Sequence, residues 1–374
     1  MTVRRPILLE YGFRSFFLLA ALAGLGLIAG WLALLHGLRW PGAPLDGSGW
    51  HAHEMLFGFG LAAVAGFLLT ALAAWTGRAP VRGRTLGGLV AAWLLGRLVL
   101  LAGNALPAWL LLPAALAFPL LLAATVTREL LAAGNQRNYP MAGMVALFAL
   151  FDALTLLAYL GLLPGARPAP ILALHLFLLL ITLIGGRIIP AFSANWLRTV
   201  GARSLPVTHP ALERLAPILT VAVGLAAGLS SEPWLLAPLA AAAALTHGLR
   251  LVAWRGWTTR RNPLLLILHL GYAWLPIGYI LLALAAAERI APSAAVHAFA
   301  AGAMGGMILA VMPRVTLGHT GRPLTADGLT LALFAAVQTA ALGRVGAILL
   351  PAVYQELLVF SGLCWIAAFA LFLG

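Results

Sequence analysis

The sequence predicts an all-α membrane protein with twelve transmembrane helices, on three observations. The chain is 63% hydrophobic and only 9% charged, more apolar surface than a soluble fold can hide. Its apolar residues fall in long runs, several exceeding the ~20 residues needed to cross a bilayer. Its arginines cluster at alternate breaks between those runs. Helices follow because lipid offers no partner for backbone N–H and C=O groups, so each segment must satisfy its own.

The runs fall at roughly 16–38, 51–75, 85–102, 107–127, 140–163, 170–191, 211–229, 233–253, 263–286, 296–313, 326–343 and 351–373. The first lacks a small-residue cleavage site and is long enough to span, so it reads as helix 1 and not as a removed signal peptide. The following runs are separated by proline, glycine or arginine, as at Pro41-Gly42, Pro164-Gly165 and Arg260-Arg261-Asn262-Pro263. The whole chain, 1–374, reads as one polytopic domain.

All 23 basic residues are arginine, and the net charge is +13. In a chain this apolar, that charge speaks of orientation and not of nucleic acid. Most arginines, Arg4 and Arg5 among them, fall on one side; only Arg39, Arg167, Arg289 and Arg344 fall in the opposite loops. The asymmetry predicts both termini in the cytoplasm and supports an even number of spans. The single cysteine, Cys364, lies in the last span, which excludes disulfides, CxxC centres, Fe–S clusters and covalently attached c-type haem. No GxxxxGK[ST] loop is present, so ATP is not expected to drive this protein.

A threefold repeat of four helices is expected. His53, His175 and His297 are spaced by 122 residues, and each opens an apolar segment. Aligning His53 on His297 brings Thr76-Gly77-Arg78 onto Thr320-Gly321-Arg322 and Gly58 onto Gly302 without a gap. Arg128 and Arg250 share the 122-residue interval. The units would be 1–130, 131–252 and 253–374, with the middle one degenerate.

Histidine is the commonest metal ligand, which makes these positions candidates for holding a cofactor. The densest constellation is Trp50-His51-Ala52-His53-Glu54-Met55. Residues two apart on a helix point ~200° from one another, so His51 and His53 are not expected to ligate one metal. Glu54 and Met55 would share the face of His51. After His297, Ala300, Ala301, Met304 and Gly305 form a strip of small side chains. Such a strip suits either a flat porphyrin beside an axial histidine or plain helix packing. His175 lies one turn into helix 6. His247, His269 and His319 form a second set, with His319 expected in a loop and His36 at the interface. Asp152 is an ion-pair or proton-relay candidate, because an unpaired carboxylate inside a membrane is costly. Arg187, placed one turn from the inner end of helix 6, would either snorkel or hold an anion.

Four segments, Trp50–Gly60 (WHAHEMLFGFG), Gly185–Leu197 (GGRIIPAFSANWL), Asn262–Trp274 (NPLLLILHLGYAW) and His297–Pro323 (HAFAAGAMGGMILAVMPRVTLGHTGRP), together resemble the NnrS family. The resemblance covers nearly the whole chain. It implies a twelve-helix protein of the bacterial inner membrane linked to nitric oxide metabolism and nitrosative stress. It further implies haem b and copper as cofactors and nitric oxide as the small-molecule ligand; an oxidoreductase would add a membrane electron donor. The matching positions are His51, His53, Glu54, Arg187, His269, His297, His319, Gly321 and Arg322. An asparagine often precedes the tryptophan that ends helix 2 in the family; this chain has Ala74.

The predicted architecture is also similar to the catalytic subunit of haem–copper oxidases, where histidines of helices 2 and 10 sandwich a haem. Here there is no adjacent His-His pair for a copper centre, and helix 10 has one histidine where two haems would need two. The resulting expectation is a haem between His53 or His51 and His297. His175 and His269 would serve a second metal, and Arg187 an anion. Two other functions stay open. One is a nitric oxide reductase or quinol-linked oxidoreductase, with Asp152 or Glu356 on a proton path. The other is a transporter of copper, haem or a small anion.

Overall fold

The structure is a computed structural model that describes residues 6–38, 47–230 and 232–374. The expected Pro41-Gly42 break and the counted Arg4, Arg5 and Arg39 lie outside the described residues. Among those residues, twelve helices are long and apolar enough to cross a membrane and no strand occurs. They are α1 (Gly12–Leu35), α2 (Gly47–Thr76), α3 (Arg84–Ala102), α4 (Ala108–Ala132), α5 (Gln136–Tyr159), α6 (Pro164–Thr199), α7 (Pro210–Ser230), α8 (Pro233–Ala253), α9 (Pro263–Ala286), α10 (Ser293–His319), α11 (Gly328–Leu349) and α12 (Pro351–Leu373).

Local chemistry explains the boundaries. Pro210, Pro233 and Pro263 stand in the first turns of α7, α8 and α9, where a missing N–H costs nothing and φ is already helical. Asp327 caps α11 by accepting the Thr330 N–H at 2.8 Å. The repeated Thr-Gly-Arg proves to be a helix-ending device. The Thr76 and Thr320 hydroxyls donate to carbonyls four residues back, at 2.6 and 2.7 Å. Gly77 and Gly321 then turn left-handed, φ +66° and +70°, a conformation that a Cβ would oppose.

Helices α2 and α10 share a second feature. Immediately after His53 the chain winds as a π-helix over Glu54–Gly60, and immediately after His297 it does so over Ala298–Gly305. Such wide turns re-aim side chains and recur at functional sites. In α6 the stretch Ala169–Thr199 around His175 is α-helical throughout, so the middle histidine lacks this device. Arg128 and Arg250 share a spacing and not an environment: the Arg128 side chain is exposed and Arg250 is buried.

Several expected helix ends move outward. Helix α6 continues to Thr199, α10 to His319 and α11 to Leu349. Arg187 is therefore well inside α6, Arg344 lies in α11 and not in a loop, and His319 is the last residue of α10. A charged side chain does not stop a helix whose long stem can lie along its apolar neighbours. The Arg314 guanidinium, for example, sits 4.3 Å over the Phe192 ring.

Burial sorts the helices. Over their most apolar windows α2, α9, α10 and α6 are 89, 72, 67 and 61% buried, against 22–44% for the other eight. Those four helices carry all six histidines expected to bind metal. The chain forms two compact units, the first running to Ala173 and the second from Leu174 to Phe372.

Candidate functional site

The first unit buries a line of charged groups drawn from three helices. His53 is fully buried; its Nε2 lies 2.8 Å from Asp152 Oδ1 on α5, and its Nδ1 lies 3.0 Å from Glu54 Oε1. Both contacts are donated hydrogen bonds only when the ring carries two protons. Glu54 Oε1 also accepts from Arg97 Nη1 of α3 at 2.8 Å. Two carboxylates, one guanidinium and one imidazolium would leave this line neutral, which is how ionised groups are tolerated away from water.

Gly58, one turn beyond Glu54, makes the line possible. A Cβ at residue 58 would come 2.5 Å from Arg97 Nη1 and 3.0 Å from Glu54 Oε2. Its carbonyl accepts from Trp93 Nε1 at 3.0 Å. Gly58→Ala is expected to lower stability by about 1–3 kcal/mol through overpacking, read as a lower unfolding temperature in detergent. Gly88→Ala, where a Cβ meets nothing within 4 Å inside α3, should by contrast hold or raise stability, by up to about 1 kcal/mol, because alanine is the better helix former.

The second unit holds a separate polar line around Arg250, which is 2% exposed. Arg250 grips Glu213 bidentately, Nη2 to Oε2 at 2.5 Å and Nε to Oε1 at 3.1 Å, and donates from Nη1 to the Tyr272 hydroxyl at 2.5 Å. Its guanidinium lies 4.9 Å from the Trp254 ring centroid. The Tyr272 hydroxyl, accepting from arginine, gives its own proton to His247 Nδ1 at 2.7 Å. That leaves the His247 proton on Nε2, facing the Thr220 hydroxyl at 3.2 Å. From His247 an aromatic column continues through Tyr279 (5.3 Å) and Phe299 (4.9 Å) to His175 (5.8 Å).

The remaining expected site residues are placed as follows. The divergence of His51 from His53 is seen: the His51 ring stacks on Trp31 at 4.6 Å while His53 turns to Asp152. Glu54 pairs with His53 and not with His51, because its flexible carboxylate reaches across the start of the π-helix. His297 donates from Nδ1 to the Ser293 carbonyl at 2.8 Å. His269 Nε2 meets the Ser193 hydroxyl at 3.0 Å, while its Nδ1 is buried against the Gly256 turn with no hydrogen-bond partner among the described residues. His175 is buried against Gly224, where a Cβ would come 2.7 Å from its own Cβ. Arg187 and His319 are exposed. Among the described residues no three His, Cys, Asp or Glu side chains are grouped to hold a metal ion.

Indoles occupy the space beside two glycines after His297, one of them Gly305 of the small-residue strip. A Cβ on Gly305 would come 2.5 Å from Trp365, and one on Gly302 would overlap Trp274, whose Nε1 donates to Gln338 at 2.9 Å. Packing thus accounts for those glycines. Gly186 makes room for the Arg250 guanidinium in the same way, and Gly185 lies against Tyr272.

Sequence reasoning missed Arg97, Arg250, Glu213, Tyr272 and Tyr279 as site residues. One signal was present for Arg97: it interrupts the apolar run Trp93–Leu101, and an arginine inside a span calls for a partner. In the sequence Arg250 stands out only for its side of the membrane and its 122-residue interval from Arg128.

Twelve apolar helices enclosing buried charge and histidine define a polytopic membrane protein with intramembrane polar sites. The family model described as NnrS protein matches residues 7–374. The chain belongs to the NnrS family, and membership links it at family level to nitric oxide. No curated protein matches it.

Proposed function

We propose that this protein binds haem b and copper in the bacterial inner membrane and either binds nitric oxide or protects against its damage. Family membership over residues 7–374 is the observation that carries the reading. The cytoplasmic placement of both termini belongs to the same proposal and rests on the arginine asymmetry.

The donor chemistry fits unequally. At His297 the hydrogen bond from Nδ1 to the Ser293 carbonyl leaves the lone pair on Nε2. That is the tautomer, held by the kind of outer partner, that metal-bound histidines use. His297 is therefore the favoured haem ligand. His53 fits an axial role poorly as it stands, since carboxylates hold both its ring nitrogens; coordination there would exchange one carboxylate for the metal. Within the first unit, His51 is then a better candidate ligand than His53. The buried imidazoles His175 and His269 are proposed for copper on donor type alone, with the exposed His319 a weaker donor. Arg187 is proposed as an anion partner. Haem, if held by His297, would supply the iron that binds nitric oxide. A membrane electron donor is the proposed partner.

The test is an optical spectrum with metal analysis of full-length protein expressed with ample haem. A Soret band and bound copper are expected, and His297→Ala should remove the Soret band while leaving the elution profile unchanged. No Soret band in the wild type overturns the haem reading and favours a transporter. A full Soret band in His297→Ala overturns the ligand assignment.

A further inference from the structure

The repeated Thr-Gly-Arg has a second use at its first copy. Gly77 ends α2 and throws Arg78 clear of the helix, with the Arg78 N–H directed at the Thr76 hydroxyl at 3.3 Å. There Arg78 joins Arg82, Thr85, Arg128 and Glu129 in lining a cleft of about 360 Å³ among the ends of α2, α3 and α4.

A charge bias that only orients the chain in a membrane needs arginines on one side. It needs neither a cavity nor a carboxylate to organise them, and this cleft has both. Glu129 is largely buried, at 12% side-chain exposure, and one of its oxygens accepts from Arg78 Nε at 2.9 Å. Its other oxygen accepts from Arg128 Nη2 and Nε at 2.9 and 3.2 Å. Both carboxylate oxygens are thus spent on aligning two guanidinium groups. The Arg78 Nη groups take no part in that contact, and both arginine side chains stay substantially exposed, at 47 and 62%. With Arg82, three guanidinium groups face one carboxylate, an excess of two positive charges. Fork-shaped donors held in a fixed array beside a threonine hydroxyl, with two positive charges in excess, suit an oxyanion of more than one charge such as a phosphate group.

We infer that this arginine cleft binds a phosphate group carried either by an anionic phospholipid headgroup or by a soluble phosphate. The site is separate from every histidine discussed above, and it stands whether or not the protein binds haem.

The test uses full-length protein stripped of lipid in neutral detergent, with native mass spectrometry and thermal unfolding as readouts. One arm adds phosphatidylglycerol or phosphatidylcholine; the other adds inorganic phosphate or chloride at equal ionic strength. Saturable binding of one phosphatidylglycerol, at least tenfold preferred over phosphatidylcholine, assigns the site to a lipid headgroup. Stabilisation by phosphate over chloride without a lipid preference assigns it to a soluble phosphate.

Arg82→Gln removes one exposed side chain and should weaken binding at least fivefold, while Arg261→Gln, elsewhere on the surface, should leave it unchanged. Glu129→Gln separates an organised site from diffuse attraction. It makes the protein more positive, so diffuse attraction would strengthen binding, whereas loss of the aligned arginines should weaken it at least fivefold. Equal or tighter binding by Glu129→Gln overturns the inference, as does the absence of saturable binding in both arms.

Discussion

Asp152→Ala is expected to lower the stability of the protein by about 3–5 kcal/mol, the usual result of removing one partner from a buried ion pair. The loss is large because alanine brings no acceptor in place of the carboxylate. His53 Nε2 would face an empty space 2.8 Å away, and the neutral line from Asp152 to Arg97 would lose one of its two acids. Asp152→Asn keeps an acceptor oxygen and most of the shape, so its cost should be nearer 1–3 kcal/mol. Equilibrium unfolding in detergent checks both. A loss under about 1 kcal/mol for the alanine variant would contradict the pairing.

Arg250→Ala should be comparably damaging in the second unit, again about 3–5 kcal/mol. It strips Glu213 of a bidentate partner, takes the donor from the Tyr272 hydroxyl and opens a gap against Trp254. The informative companion is Arg250→Lys. An ammonium keeps the charge but has no planar fork with which to hold Glu213 and Tyr272 together or to lie over an indole. Less than half the stability should return. Full rescue by lysine would mean that charge alone matters at this position.

The helices were legible because hydropathy adds up locally: a run of apolar residues needs the bilayer whatever the rest of the chain does. All twelve spans appear in the structure, and the errors sit at their ends, as where Arg344 was taken for a loop residue. The Thr-Gly-Arg motif was legible as a recurring pattern, though its reason, a left-handed glycine closing a helix, required the backbone. The pairing of Asp152 was foreseeable from the cost of an unpaired carboxylate. Its partner was not, since His53 lies 99 residues away and local spacing says nothing about which helices touch. The same gap hides the role of Arg250, whose side and spacing signal orientation and repeat while its side chain holds Glu213 and Tyr272. For the glycines beside His297 the sequence left porphyrin and helix packing open, and the structure favours packing. Small residues announce that something large lies alongside, and here that something is Trp274 and Trp365.

The central claim, a nitric-oxide-linked haem protein of the membrane, is tested most directly by the spectrum of the purified, reduced protein before and after addition of nitric oxide. The account predicts a Soret band that shifts on addition in the wild type and is missing from His297→Ala. A wild-type protein supplied with ample haem that shows no Soret band, or a ferrous spectrum that nitric oxide leaves unchanged, would contradict it.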